Sequence, residues 1–156
     1  AGPRARWRTA TEADDAAILQ MCVTFYIEDP SQRPVPVTNT ERTLRTLREQ
    51  PWRGKAVVLE QAGAVLGYAL LISFWSNELG GEVCTIDELY VVPAARSHGH
   101  GGSLFAALTG GDVAISSTPP VALTLETTPS NERARRLYAR HGFVGSNLLF
   151  RKYLDE

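Results

Sequence analysis

The hydrophobic and polar positions change period several times along the chain, and each change marks an element. Arg6 to Thr9 reads as a short strand. Thr11 can cap a helix whose start carries Glu12, Asp14 and Asp15, acids that suit the positive end of the dipole. Ile18, Leu19, Cys22, Val23 and Tyr26 keep helical spacing, which predicts a first helix to about Tyr26. Pro30, Pro34 and Pro36 make the stretch from Glu28 to Val37 a loop. Leu44 and Leu47 share one face of a second, short helix from Thr40 to Arg48, which Pro51 closes. Lys55 to Glu60, Val65 to Trp75 and Val83 to Val92 are apolar, β-branched runs separated by short Gly-containing turns, the pattern of an antiparallel meander. Beyond Pro93 the character shifts. A Gly/His loop from Arg96 to Gly102 leads into a short helix from Ser103 to Leu108, then a polar connection from Thr109 to Pro120. Val121 to Glu126 reads as a strand and Glu132 to Arg140 as a helix, with His141 and Gly142 at its C-terminal end. Phe143–Val144 and Leu148 to Tyr153 close the chain as strands. Strand, crossover helix and strand in sequence imply one parallel pairing in an otherwise antiparallel sheet. The expected fold is therefore mixed α/β: a central, mostly antiparallel sheet of about seven strands with helices on both faces, in one domain over residues 1–156.

Composition narrows the function classes. The chain has 156 residues, 44% apolar and 21% charged, enough to bury a core without staples. Sixteen Lys and Arg against seventeen Asp and Glu give a net charge of −1. That excludes attachment to nucleic acid by global charge. No apolar run is long enough to cross a membrane, and the Arg-rich start has no signal-peptide pattern. Cys22 and Cys84 lie far apart, with neither a CxxC partner nor a His at ligand spacing. They read as buried reduced thiols of a cytoplasmic protein rather than a disulfide or a zinc site. His98 and His100 lack a nearby third ligand, so no metal is expected. Arg133, Arg135, Arg136, Arg140 and His141 crowd the last helix as a solvated basic face, or supply one or two partners for a phosphate.

The segment Ile86 to Gly102 carries the clearest chemistry. A strand ends at Pro93, and a loop with Gly99, Gly101 and Gly102 feeds a helix. Glycines admit close backbone approach, and free N–H groups at a helix start point at an anion. With Arg96 beside it, this is a cradle for phosphate or pyrophosphate. It is not a P-loop, because GxxxxGK[ST] is absent, and it lacks the third glycine of a dinucleotide fingerprint.

Arg96-Ser97-His98-Gly99-His100-Gly101 resembles the R-x-x-G-x-G element of the GNAT superfamily of acetyl-CoA-dependent N-acetyltransferases. Leu89-Tyr90-Val91-Val92-Pro93 resembles the strand and proline before that element. Asn131, Ala134, Leu137, Tyr138, Gly142 and Phe143 fall where the family's later motif expects them, and Arg8 to Asp14 is similar to its usual opening. The resemblance spans essentially the whole chain. It departs at two positions: the family commonly has Gly after the Arg, where this chain has Ser97, and often Ile or Leu at the place of His100.

The resemblance implies roles. The backbone of Leu89, Tyr90 and Val91 would bind the pantetheine arm like an added strand. Arg96, Ser97, His98, Gly99, His100, Gly101, Gly102 and Ser103 would hold the pyrophosphate, and Asn131 and Ala134 would touch the cofactor arm. Tyr138 would protonate the departing thiolate; its ordinary pKa near 10 suits that task. Asp87 or Glu88 would take the proton from the amine, with Asp87 preferred. Adjacent strand residues face opposite ways unless a bulge intervenes, and a water chain is the other route. A backbone N–H near Leu89 or Tyr90 would meet the developing oxyanion. The acceptor pocket would draw on Tyr26, Glu28, Asp29, Phe74, Trp75, Asn77 and Glu78, since aromatics and acids suit a cationic amine. The implied activity is acetyl transfer from acetyl-CoA to a primary amine by direct attack in a ternary complex. A small-molecule acceptor is preferred to a peptide or protein amine, with no nucleic-acid or membrane partner; a homodimer is compatible. The alternative from another class is a non-catalytic module that senses acyl-CoA.

Overall fold

The computed structural model describes residues 2–145 and 147–155. Its elements run β1 (Arg6–Thr9), α1 (Asp15–Glu28), α2 (Val37–Glu49), β2 (Gly54–Gln61), β3 (Ala64–Ser76), β4 (Gly81–Val91), α3 (His100–Gly110), β5 (Ala122–Leu125) and α4 (Glu132–Arg140). The sheet has the order β1-β2-β3-β4-β5. The first three pairings are antiparallel, and β4 and β5 are parallel.

Strand alternation separates two cores. Val57, Leu59, Ala69, Leu71, Cys84 and Ile86 face α3, where they meet Leu104, Phe105 and Leu108. Val58, Tyr68, Leu70 and Tyr90 face α1 and α2, where they meet Ile18, Met21, Cys22 and Leu44. Helices thus cover both faces, because a strand buried on two sides must find two apolar layers. At the entrance to α1 the Arg8 guanidinium grips both oxygens of Asp14, at 2.8 and 3.0 Å, and also contacts Glu60. Asp14 further accepts from the Thr11 N–H at 2.8 Å. Arg8 therefore holds the Asp14 carboxyl below its ordinary pKa, despite burial.

Three expectations change. Helix α3 begins at His100 rather than Ser103, because Gly99 in the left-handed region at φ 77° turns the chain straight into it. The sheet has five strands rather than about seven. Among the described residues, neither Phe143–Val144 nor Leu148 to Tyr153 joins it (Ser146 lies outside them). Leu148, Leu149 and Phe150 are all exposed, so this segment adds nothing to either core.

Candidate active site

The site is built on an irregularity in β4. Leu70 pairs with Glu88 and Leu71 with Ile86, so Asp87 is an extra residue with no partner on β3. Such a bulge resets the alternation. Before it, Cys84 and Ile86 face α3; after it, Glu88 and Tyr90 face α1. Pairing with β5 ends at the same place, with Ile86 opposite Leu125. Among the described residues, the strand from Glu88 to Val91 is paired with β3 alone, and its other edge has no partner strand.

The two adjacent acids consequently live in different surroundings. Glu88 accepts from the Tyr26 hydroxyl at 2.5 Å and the Tyr68 hydroxyl at 2.7 Å, with Cys22 Sγ at 3.7 Å. Cys22 Sγ in turn lies 3.3 Å from Thr40 Oγ1. Burial and the Glu88 charge push both phenols well above the ordinary tyrosine range, so both stay donors at any working pH. Burial likewise raises the Cys22 thiol. Asp87 is exposed and makes no hydrogen bond among the described residues. Its carboxyl is nonetheless raised, first by the protein mass that displaces water around it and then by Glu88 and Glu126, with Arg151 opposing.

After Val91 the chain makes a tight turn through Pro93–Ala95 and enters the glycine loop. Arg96 is fixed from three sides. Its Nε donates to the Val91 carbonyl at 2.8 Å, its Nη2 to Glu28 Oε2 at 2.6 Å, and its guanidinium carbon lies 5.3 Å from the centre of the Tyr90 ring. Ser97 adopts φ 65° despite its Cβ, so the loop keeps a left-handed turn where the family commonly uses Gly. His98 Nδ1 folds back onto the carbonyls of Ala95 and Arg96, at 3.1 and 2.7 Å, and its ring stacks on His100. Burial lowers the His100 pKa, and His98 adds to the shift. Trp7 Nε1 pins the loop from below through the His100 carbonyl at 2.9 Å.

The three glycines divide their work. A Cβ on Gly99 would meet nothing within 4 Å, so space above the cap is open. A Cβ on Gly101 would come within 3.0 Å of Leu137, and one on Gly102 within 2.5 Å of the His141 ring. Gly101 and Gly102 therefore let α4 lie against α3. The first-turn amides of α3, the open space at Gly99 and the one-sided stretch of β4 together fit a phosphate-bearing ligand with an extended arm.

Across the cleft, Asn131 caps α4 by accepting from the Ala134 N–H at 3.1 Å, while its Nδ2 reaches Asp29 at 3.4 Å. The Tyr138 ring packs with Phe105 and Phe143, and its hydroxyl makes no hydrogen bond among the described residues. Burial, then the Asp29 charge, raises its pKa, so it stays protonated at neutral pH. Glu28, Asp29, Ser130, Asn131, Glu132 and Arg133 line an open depression of about 370 Å³.

Trp75 and Asn77, with Phe74 and Glu78, lie elsewhere. Trp75 pairs with Glu82, six residues before Glu88, or about 20 Å along the strand. The turn between β3 and β4 is at the opposite end of the sheet from the glycine loop, so the fold does not bring these residues together with Asp87 and Glu88. In the sequence Tyr68 reads as any buried strand aromatic. Its pairing opposite Tyr90, once the hairpin register is known, would have placed it beside Glu88. Among the described residues no group of three or more His, Cys, Asp or Glu could hold a metal ion, and no helix is long and apolar enough to cross a membrane.

Comparison with known proteins agrees with this geometry. The Acetyltransferase (GNAT) family matches residues 19–143. A curated relative, the uncharacterized N-acetyltransferase YhfO of Bacillus subtilis (strain 168), is 32% identical over 87 residues, 56% of each chain. The match thus spans little more than half the length of that relative. Among solved structures, integron cassette protein HFX_CASS3 from the Cole Harbour Salt Marsh metagenome superposes with a TM-score of 0.76 at 25% identity, over 96% of this chain and 91% of that one. The aminoglycoside N-acetyltransferase AAC(6')-Iy, solved in complex with CoA, gives 0.74 at 15% identity, over 99% and 97%. With the family match spanning most of the chain, including the bulged strand and the glycine loop, the chain belongs to the acetyltransferase (GNAT) family.

Proposed function

We propose that this protein moves an acetyl group from acetyl-CoA to the primary amine of a small cationic molecule, by direct attack within a ternary complex. The observation that carries this reading is the continuity of β4. Its bulge leaves Asp87 exposed and outside the ladder, an edge without a partner strand among the described residues follows at once, and that edge runs into the glycine loop capping α3.

Acetyl-CoA would supply the activated acyl thioester. The backbone edges of Leu89, Tyr90 and Val91 would hold its arm, although Arg96 already uses the Val91 carbonyl. Residues 96–103 would receive the pyrophosphate, with Asn131 and Ala134 bordering the arm. Asp87 is open to solvent, bears no competing hydrogen bond and has a raised pKa, so its carboxylate takes the proton from the acceptor's ammonium. Glu88 is occupied by two phenols and holds the strand in register beside it. Tyr138, kept protonated by burial, gives its hydroxyl proton to the departing sulfur. Glu28, Asp29 and Glu132 make the neighbouring depression acidic, which suits a cationic acceptor.

A thermal melt tests the reading. Acetyl-CoA at about a hundredfold excess over its dissociation constant should add about 2.7 kcal/mol, a rise of roughly 5–11 °C for a domain of this size. Ser103→Asp should abolish the rise while leaving the unliganded melt in place, because an acid in the first turn suits the helix but repels phosphate. Tyr138→Phe should keep the rise and lose most turnover. A ligand-induced rise in wild type without turnover on any amine would favour the sensor. No rise in the folded protein would overturn the assignment.

A further inference from the structure

The last turn of α1 touches three other elements at once. Tyr26 donates to Glu88 on β4, Glu28 pairs with Arg96 of the glycine loop at 2.6 Å, and Asp29 accepts from Thr128 at 3.0 Å and Asn131 at 3.4 Å. Glu28 and Asp29 stand at the negative end of the helix dipole, where acids are disfavoured, and the last turn of α1 holds no basic residue to offset them. Their partners lie on the two sides of the cleft instead. Arg96 has little freedom to turn away, because its Nε is tied to Val91 and its guanidinium rests near the Tyr90 ring. Its outward edge is neutralised by a carboxylate that remains 38% exposed.

We propose that Glu28 is an internal counter-anion which occupies Arg96 until a diphosphate replaces it, and so sets cofactor affinity and links it to the acceptor side. This rests on the acetyl-CoA reading above. Two anions competing for one fixed guanidinium oppose each other. The arriving diphosphate frees Glu28, which also borders the acidic depression suited to a cationic amine. Tyr26 and Asp29 keep their own partners, so the turn stays anchored on either side of the released carboxylate. A cationic acceptor then meets one more free negative charge. A carboxylate that merely braced Arg96 for the phosphate would have the opposite effect, since its loss would weaken the cofactor.

The sign of one measurement separates the two. CoA and, separately, inorganic pyrophosphate are titrated calorimetrically into wild type, Glu28→Gln, Glu28→Ala and Asp29→Asn. At an ionic strength of about 20 mM both Glu28 variants should bind either ligand about threefold or more tightly than wild type, and the gap should shrink near 0.3 M as screening grows. Agreement of the Gln and Ala variants attributes the gain to the lost charge rather than to a new amide. Asp29→Asn, which removes a charge that does not touch Arg96, should gain less. Equal or weaker binding by the Glu28 variants overturns the counter-anion. Absence of CoA binding in wild type itself overturns the cofactor reading and the counter-anion with it, and is told apart by that wild-type result.

Discussion

The two faces of the sheet are built on different principles. The α3 face is apolar throughout: Trp7, Val57, Leu59, Leu71, Cys84 and Ile86 close against Leu104, Phe105 and Leu108. The α1 face contains a polar cluster set into its core, with Glu88 held by Tyr26 and Tyr68 and bordered by Cys22 and Thr40. A carboxylate is tolerable there because two phenols supply the hydrogen bonds that water would otherwise give. The same group on the α3 face would find only the Trp7 indole N–H, already given to the His100 carbonyl, and the weak Cys84 thiol donor. Because Asp87 stands outside the ladder, Glu88 pairs opposite Leu70 and takes the face that can receive it, and Asp87 lies where the strand changes allegiance. One inserted residue thus supplies a solvated acid, a protein-held acid and an unpaired strand edge.

Removing that insertion should have the largest effect. Deleting Asp87 places Glu88 directly after Ile86, so regular alternation keeps it opposite Leu70 and facing Tyr26 and Tyr68. The bulge and the proposed base are lost together while the polar cluster keeps its donors, so turnover should fall further than for any single substitution at this position. Circular dichroism and a denaturant titration should still show a cooperative transition; loss of that transition would mean that the bulge itself is required for folding. Next in size, Asp87→Asn keeps the bulge and removes the base, so kcat should fall about 10²- to 10⁴-fold. The same change should raise the melting temperature at pH 7. A carboxyl whose pKa is raised in the folded state holds its proton more tightly there than when unfolded, so its ionised form opposes folding. Stability then falls as pH climbs through the range from the ordinary aspartate value to the raised one, and Asn escapes that fall. The gain should vanish in melts run below the ordinary aspartate pKa. Loss of activity together with loss of stability would argue that Asp87 shapes the bulge rather than acts on the amine.

Much of this arrangement was legible in the sequence, and the gaps have physical causes. Helical and strand periods located α1, α2, β2, β3, β4 and α4, because each buries a face of defined spacing. Pro30, Pro34 and Pro36 located the loop, and the glycine run located the anion cradle. The bulge could be anticipated as an option but not placed, since it exists only relative to the register of β3. Tyr68 was hidden for the same reason. The span of β4 separated Trp75 from the site, and residue types cannot show a distance of that kind. Gly101 and Gly102 read as ligand contacts, whereas their small size also answers to Leu137 and His141.

Smaller effects sharpen the comparison. Tyr68→Phe withdraws one of the two phenols from Glu88 and leaves its ring in place, so the cost is that of one missing hydrogen bond to a buried charge. About 1–3 kcal/mol is expected, a drop in melting temperature of roughly 2–12 °C. Removal of a hydroxyl from the α3 face should cost less: Tyr138→Phe leaves no acceptor unpaired among the described residues, and its melt should stay within about 0.5 kcal/mol of wild type. Matched melts of the two Tyr→Phe variants test whether the polar cluster or the apolar layer depends on phenol hydrogen bonds. Equal losses would erase the distinction between the faces.

The smallest effect lies in the loop that follows β4. Ser97 carries a Cβ at φ 65°, a conformation that costs an L-residue roughly 1–2 kcal/mol and glycine almost nothing. Ser97→Gly removes that strain but gives the unfolded chain more freedom, worth about 0.4–1 kcal/mol in the other direction. The net stabilisation should lie between about 0 and 1.6 kcal/mol, a rise of at most roughly 6 °C in the melt. The substitution leaves the Arg96 partners and the Gly99 cap untouched, so CoA affinity should move less than twofold in a calorimetric titration. A large change in affinity with no change in stability would mean that the Ser97 side chain, rather than the turn it occupies, meets the ligand.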